Sequence, residues 1–170
     1  MPPFRLLQLP SLALENALEY FDVYDIFELA QCSSKSHNIV KLCCPRNFKI
    51  SYDHETIFIN QKQFHSSEFY GQQLFGIRWD RKFIFENFKY KSYSIPGRTG
   101  LIFFWNNADE GRKIMFFHLA ELFRAQIELF DTGLNMPFDF YKSVINWIGA
   151  KRLRVKELRV ESRNLTQFDI

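Results

Sequence analysis

Apolar residues recur at helical spacing near the start of the chain. Leu14, Leu18 and Phe21 stand at positions i, i+4 and i+7, so an α-helix would place all three on one face. Pro10 is suited to the beginning of that helix, because the N–H that proline lacks would have no partner there. Leu12 lies off that face, so the predicted helix is apolar on two sides.

Two further short helices are predicted directly after the first. Asp22 is placed to cap the second helix, which carries Ile26 and Leu29. Ser34 is placed to cap a third helix, which must end before Pro45 because the residue preceding a proline disfavours helical backbone. The pattern therefore predicts three short helices within the first 45 residues.

From residue 47 onward the apolar period changes to that of a β-strand. Alternation of apolar and polar positions predicts a hairpin with strands at residues 48–52 and 56–60. The aromatic-rich stretch KFIFENFKYKSYSI is also strand-like, and the run LIFFW at residues 101–105 is typical of a buried strand. The middle of the chain is therefore expected to form a sheet.

Helical and strand-like segments alternate towards the end of the chain. Helical spacing appears in NADEGRKIMFFHLAELFRA and in FDFYKSVINWIGAK, and a strand-like run follows each of them. Ile127 and Leu129 in the first run recur as Leu158 and Val160 in the second, 31 residues later in both cases. Such a repeat is typical either of leucine-rich repeats or of a βαβ unit, and both predict parallel neighbouring strands.

Parallel strands at that offset would also bring polar side chains together on the face opposite the apolar core. Glu128 would lie beside Arg159, and Phe130 beside Glu161, which makes these four residues the predicted substrate-binding surface. The second strand would end near Ile170 with no helix after it and so leave an exposed edge. We therefore expect that the sequence stops short of the complete domain.

Composition indicates a folded protein that is rich in aromatic residues. Hydrophobic residues make up 46% of the 170 residues and aromatic ones 18%, including 20 phenylalanines, a content that favours a sheet and a substantial core. The net charge of +3 is too small for a dedicated nucleic-acid binder. Three cysteines without framework spacing, no signal-peptide pattern and no long apolar run predict a cytoplasmic or nuclear protein without a membrane span.

No motif in the sequence indicates catalysis, a cofactor or a metal ion. Cys32, His37, Cys43 and Cys44 are candidate zinc ligands by residue type, but their spacing departs from that of zinc modules. The other histidines are scattered, and the sequence contains neither a phosphate-binding loop nor a nucleophile elbow nor HExxH. We therefore expect a protein without enzymatic activity, with no catalytic, cofactor-binding or metal-binding residues.

The run KRLRVKELR at residues 151–159 is the strongest sign of a nucleic-acid partner. Its basic residues are Lys151, Arg152, Arg154, Lys156 and Arg159. Glu157 interrupts the run, and basic residues after a helix also complement the negative end of the helix dipole. A solvated segment is the favoured interpretation, and nucleic-acid binding is the alternative.

The opening stretch resembles an F-box over residues 4–43. It has a Leu-Pro dipeptide, an apolar helix, a second helix, and a Ser-Lys pair near the start of the third. The matching positions are Phe4, Leu6, Leu7, Leu9, Pro10, Leu14, Leu18, Phe21, Ile26, Leu29, Ser34, Lys35 and Ile39. Many F-boxes have a tryptophan after the Ser-Lys pair, where this chain has Ser36 and His37.

The F-box resemblance implies an adaptor that docks on the Skp-type linker of a cullin-RING (SCF-type) ubiquitin ligase. Three helices of this size bury too little apolar surface to be stable alone, so an uncovered apolar face would need a partner. The expected linker-binding residues are Leu9, Pro10, Leu14, Leu18, Phe21, Ile26 and Leu29. The further partners implied are a cullin, reached through the linker, and an unidentified protein substrate.

Residues 46–170 resemble the F-box-associated domain of the large nematode F-box families. The resemblance rests on LAELFRAQIELF and on INWI followed by VKELRVES, and it implies a substrate-recognition domain. The expected fold class is α+β: a three-helix F-box, then a β-rich region that passes into α/β units of leucine-rich-repeat or βαβ type.

Overall fold

The N-terminal part of the chain forms the three expected helices. The structure, a computed structural model, describes residues 6–45, 47–53, 56–68, 81–85, 88–94, 100–105, 107–131 and 138–159. A 3-10 turn at Leu6–Gln8 precedes α1 (Ser11–Leu18), and α2 (Val23–Gln31) and α3 (Ser34–Cys43) follow. Pro10 directly precedes α1, as predicted, and α3 ends before Pro45.

Side-chain caps begin the second and third helices. The Asp22 carboxylate accepts a hydrogen bond from the backbone N–H of Tyr24 at 2.9 Å, which confirms the predicted cap of α2. The predicted cap of α3 was wrong by one residue. Ser33 has extended backbone, so its hydroxyl accepts from the N–H of Ser36 at 3.0 Å, whereas Ser34 already lies within the helix.

The described strands form one mixed sheet. They are β1 (Lys49–Asp53), β2 (Thr56–Ile59), β3 (Lys62–Glu68), β4 (Arg81–Phe85), β5 (Phe88–Ser94), β6 (Gly100–Trp105), β7 (Gln126–Asp131) and β8 (Val155–Arg159), in the order β4-β5-β6-β3-β2-β1-β7-β8. The pairs β3–β6, β1–β7 and β7–β8 are parallel, and the other pairs are antiparallel. The predicted hairpin of β1 and β2 and the predicted strand at residues 101–105 are confirmed.

Helices α4 (Ala108–Leu122) and α5 (Phe138–Lys151) pack on the same face of the sheet as α2. Register places Tyr52, Ile57 and Phe64 side by side on this face, where all three are buried. Phe27 of α2 contacts Phe64 at a ring-centroid distance of 5.7 Å, and Phe116 of α4 contacts Tyr52 at 5.8 Å. One continuous core therefore joins the N-terminal helices to the sheet. The predicted α+β class is confirmed, while the division into residues 4–43 and 46–170 stays a prediction.

Strands β7 and β8 and helix α5 between them form a βαβ arrangement, with which both predicted alternatives agree. Strands β7 and β8 are parallel as predicted, but Ile127 pairs with Val155 and Asp131 with Arg159, 28 residues apart rather than 31. The register of β7 against β1 also shifts at Glu128. Ile50 of β1 pairs with Ile127, but the next residue, Ser51, pairs with Leu129, so Glu128 is an extra residue in β7. This irregularity turns Phe130, rather than Leu129, into the core.

The C-terminal ends of α4 and α5 are related by the same offset of 28 residues. Arg124 and Arg152 follow α4 and α5 in the left-handed conformation, with φ of 47° and 52°. In each case the backbone N–H of the next residue donates a hydrogen bond to a carbonyl of the preceding helix. Ala125 donates to Ala120, and Leu153 donates to Ile148. Among the described residues, no helix has the length and apolar character needed to cross a membrane.

Candidate docking surfaces

The seven predicted linker-binding residues differ widely in exposure. Leu14, Leu18 and Ile26 are buried, Leu9, Phe21 and Leu29 are half-buried, and Pro10 is exposed. The three buried side chains are no more than 2% exposed, and all three belong to the core that the helices share with the sheet. In this structure these three side chains therefore face the core of the chain itself. Contact of the seven residues with a linker stays a prediction.

The sheet covers the apolar side of the N-terminal helices that the sequence left without a partner. Tyr24 and Phe27 of α2 both contact the Phe64 ring, at centroid distances of 5.3 and 5.7 Å, and Phe27 also contacts Phe103 at 5.7 Å. Because these contacts lie far apart in sequence, periodicity alone could not reveal them. The inner side of the helices is thus satisfied within the chain.

The outer side of the same helices exposes large hydrophobic side chains. Leu12 on α1 is 68% exposed, Leu42 on α3 is 65% exposed, and Tyr20 after α1 is 89% exposed. In the described part of the chain, the one other large hydrophobic residue exposed to a comparable degree is Leu158 on β8, at 43%. Exposed large hydrophobic side chains in one short segment make that segment a candidate interaction surface.

Two polar contacts fix the start of the second helix to β3. The Tyr24 hydroxyl accepts from the Gln63 N–H at 3.0 Å and donates to the Gln63 carbonyl at 3.1 Å. Lys62 pairs with Asp22 at 2.7 Å. Partial burial would raise the pKa of Asp22, but the hydrogen bonds from Lys62 and from the Tyr24 N–H outweigh it and lower the pKa below its ordinary value.

Glu121 on α4 links the N-terminal helices to α5. Its carboxylate pairs with Lys41 of α3 at 3.3 Å and with Lys151 of α5 at 2.9 Å. Burial would raise the pKa of Glu121, but the hydrogen bonds from Lys151 and Lys41 outweigh it and lower the pKa. The carboxylate therefore stays ionised between two ammonium groups.

His118 is a structural residue on α4. Its Nε2 lies 3.2 Å from the Gln31 side-chain nitrogen, and its ring lies 5.2 Å from that of His37. Burial lowers the pKa of His118 well below its usual value, and electrostatic repulsion from the neighbouring His37 and Lys41 acts in the same direction. The His118 imidazole is therefore neutral at pH 7.

The described members of the predicted substrate-binding surface do not share one face of the sheet. Glu128 pairs with Lys49 at 2.7 Å, and Arg159 pairs with Glu157 at 2.7 Å. Phe130 is fully buried, because the irregularity at Glu128 turns it into the core, so its predicted position on the outer face was wrong. Glu161 lies outside the described residues. Leu158, which was expected in the core, is partly exposed at the sheet edge.

Ion pairs reduce the positive charge of the basic segment at residues 151–159. Lys151 is paired with Glu121, and Arg159 with Glu157. Arg152, Arg154 and Lys156 are exposed. The segment therefore presents a smaller positive surface than its five basic residues suggest.

The three cysteines are free thiols. Cys32 is exposed, whereas Cys43 and Cys44 are buried, and burial raises the pKa of Cys44 to about 12. Within the described ranges, no group of three or more His, Cys, Asp or Glu side chains is placed to hold a metal ion.

Comparison with known proteins identifies the N-terminal segment. A family model described as "F-box domain" matches residues 6–48. An uncharacterized protein of Caenorhabditis elegans, F54H12.5, is 40% identical over 62 residues, which cover 36% of this chain and 18% of that protein. No solved structure matches the chain. The F-box part of the resemblance is thus confirmed, whereas the comparisons do not extend to the nematode F-box-associated domain.

The family match supports a general role for this chain. F-box proteins are in general non-catalytic adaptors of SCF-type ubiquitin ligases, and F-box domains typically bind Skp-type linkers and, through them, cullins. The matched residues include all three N-terminal helices and the exposed side chains of Leu12, Tyr20 and Leu42.

Proposed function

We propose that this protein is a substrate-recruiting adaptor of a cullin-RING ubiquitin ligase, which docks on a Skp-type linker through the outer side of its N-terminal helices. Leu12, Tyr20 and Leu42 are the principal contacts, with Leu9 and Pro10 beside them. The observation that carries this proposal is the position of the large exposed hydrophobic residues. Three of the four in the described part of the chain lie within the F-box match.

Apolar side chains on adjacent helices suit a helix-in-groove type of contact. A few large anchor residues usually account for most of the binding energy in such interfaces. The inner side of the helices supports the same arrangement, because its contacts with the sheet hold the outer side in a fixed orientation. The linker would therefore meet a preformed surface, and little conformational entropy would be lost on docking.

The remainder of the chain, residues 46–170, is the substrate-recognition domain in this proposal, of the nematode F-box-associated type. It holds a protein substrate and performs no bond chemistry itself. The ligase then acts by proximity, because binding raises the effective concentration of a substrate lysine near the ubiquitin-charged enzyme. Such an adaptor acts in the cytoplasm or the nucleus, where the ligase components are found.

Co-elution of purified proteins on gel filtration tests this proposal. The chain is mixed with a recombinant Skp-type linker and then with a cullin, at low and at high salt. We expect a ternary complex at both salt concentrations, because apolar contacts are screened little by ions.

A folded chain that fails to co-elute with the linker at either salt concentration would refute the adaptor proposal. A single-stranded RNA oligonucleotide, run in parallel, tests the nucleic-acid alternative. RNA binding that falls steeply with salt would favour that alternative, which depends on Arg152, Arg154 and Lys156.

A further inference from the structure

Two histidines meet where α3 packs on α4. The ring of His118 on α4 lies 5.2 Å from the ring of His37 on α3, and both side chains are partly buried. From α2, the side-chain nitrogen of Gln31 lies 3.2 Å from the His118 Nε2, and the Phe27 ring contacts the His118 ring edge-on at 6.2 Å. We call this contact of Gln31 and His37 with His118 the histidine joint.

The contact with Gln31 requires the neutral form of His118. An amide nitrogen only donates hydrogen bonds, so the His118 Nε2 must accept one and cannot carry a proton. A proton on Nε2 would set two donors against each other. The new charge would also be repelled by His37 and Lys41, which already act to lower the pKa of His118. Protonation therefore breaks a hydrogen bond and adds repulsion at the same place.

The described charged groups around the His118 ring do not offset that repulsion. His37 and Lys41 approach from α3, and the two α2 side chains in contact with the ring are uncharged. Glu121 lies one turn further along α4, but its carboxylate pairs with Lys41 at 3.3 Å and with Lys151 at 2.9 Å. This carboxylate is thus already neutralised by two ammonium groups.

We propose that the histidine joint is a pH-sensitive contact, in which proton uptake by His118 opens the packing of α3 on α4 while the sheet stays folded. Contacts that do not titrate hold α2 to the sheet, because the Phe27 ring meets Phe64 and Phe103 at 5.7 Å each. The contact of α3 with α4, by comparison, includes the histidine pair and an ion pair. Acid should therefore act on α3 first.

The direction of the pH dependence follows from the lowered pKa of His118. When the joint opens, His118 regains water and its ordinary pKa of about 6.5, so the open state binds more protons than the closed state. The stability of the closed joint is thus fully present above about pH 6.5 and is lost as the pH falls towards the lowered pKa. Asp22 and Glu121 stay ionised over this range, because their ion pairs lower pKa values that are acidic already.

Opening of the joint would alter the outer side of the N-terminal helices. Leu42, which is 65% exposed, directly follows Lys41 on α3. Movement of α3 would therefore displace one of the proposed linker contacts. This consequence rests on the proposed function, whereas the opening itself is a property of the chain alone.

Amide hydrogen exchange of the full chain, followed by mass spectrometry and corrected for intrinsic rates, tests the inference at about pH 7.5 and about pH 5.5. We expect the opening constant of α3 in the wild type to be about tenfold larger at the lower pH, a change of about 1.4 kcal/mol, while β1 and β2 keep their protection. His118→Gln cannot take up a proton and keeps an amide next to Gln31, so its opening constant should change less than about twofold.

His65→Gln is the matched control. His65 lies on β3, where its ring nitrogens contact Thr56 at 3.2 Å and Gln63 at 3.0 Å, away from the joint. This variant loses one histidine as His118→Gln does, but α3 should respond to pH as in the wild type.

Ring titration of the wild type by NMR gives a second readout that needs no variant to fold. Contacts with the Phe27 ring identify the His118 resonance. We expect this ring to stay neutral while the amides of α3 are protected, and to take up a proton only as that protection is lost. A merely structural histidine would not link the two events.

Four results would overturn the inference. They are an opening constant of α3 that does not depend on pH, an equal pH response in His118→Gln and the wild type, an equal loss of protection in β1 and β2, and titration of His118 at an ordinary pKa while α3 stays protected. Failure of the adaptor proposal is recognised separately, because the wild type would then fail to co-elute with the linker at about pH 7.5, where the joint is closed.

Discussion

At the scale of single residues, two leucines on α1 illustrate how position in the fold decides function. Leu12 is 68% exposed and Leu14 is 2% exposed, although both are apolar and only two positions apart. Two positions correspond to about 200° of rotation on a helix, which places the leucines on opposite sides. Helical period identified both sides as apolar. It could not show which side the sheet covers, because that depends on contacts with residues far along the chain.

Gly111 on α4 lies directly against the ring of Trp105. A Cβ at this position would overlap the ring of Trp105, which is 4% exposed and has no room to move. Gly111→Ala should therefore lower the free energy of unfolding by about 1–3 kcal/mol through overpacking. Urea denaturation measures the change.

Gly149 on α5 provides the matched control for that substitution. No atom lies within 4 Å of a Cβ built there, and the residue is exposed within a helix. Gly149→Ala should raise the free energy of unfolding by about 0.5–1 kcal/mol, because alanine loses less backbone entropy than glycine. Equal effects of the two substitutions would show that the contact between Gly111 and Trp105 is misassigned.

At the scale of elements, period and capping residues predicted most helices and strands, but not their detailed registers. The three N-terminal helices, the hairpin and the strand at residues 101–105 all follow from local patterns. The 28-residue offset of β7 and β8 does not, because it depends on how two segments distant in sequence pair. The predicted outer face was wrong for Phe130, because the register shift of β7 against β1 turns this residue into the core.

The contact of α4 with α3 and α5 should depend on the charge of Glu121. Glu121→Gln removes the carboxylate that pairs with Lys41 and Lys151, and all three side chains are partly exposed. We therefore expect a loss of only about 0.5–1 kcal/mol in the free energy of unfolding at pH 7, reduced further by salt.

The pH dependence of that loss has a definite sign. Because the pKa of Glu121 is lowered in the folded state, its contribution is present above the unfolded pKa of about 4.3 and disappears as the pH falls through the folded pKa. The difference between wild type and variant should thus vanish in acid. Glu157→Gln, which removes the partner of Arg159 on the exposed strand β8, should show no comparable difference. A difference for Glu121→Gln that persists in acid would contradict the ion-pair account.

At the scale of the whole molecule, the described helices that contact the sheet, α2, α4 and α5, do so on one face. The sequence predicted the α+β class and the parallel C-terminal strands, since both follow from the alternation of elements. It could not predict that β6 joins β3 and β7 joins β1, because such pairings bring distant segments together. The sequence likewise could not show that Leu14, Leu18 and Ile26 are buried against other parts of the chain, because those contacts join distant segments.

The most direct test of the central claim is calorimetric titration of a Skp-type linker into the wild type, Leu12→Asp and Leu158→Asp. Both substituted leucines are exposed, so neither change should unfold the chain, which circular dichroism verifies. We predict that Leu12→Asp weakens linker binding at least about tenfold, because a charge would be buried in an apolar groove. Leu158→Asp, outside the F-box match, should bind as the wild type does. Unchanged affinity for Leu12→Asp, or an equal loss in both variants, would contradict the assignment of the outer helix side as the docking surface.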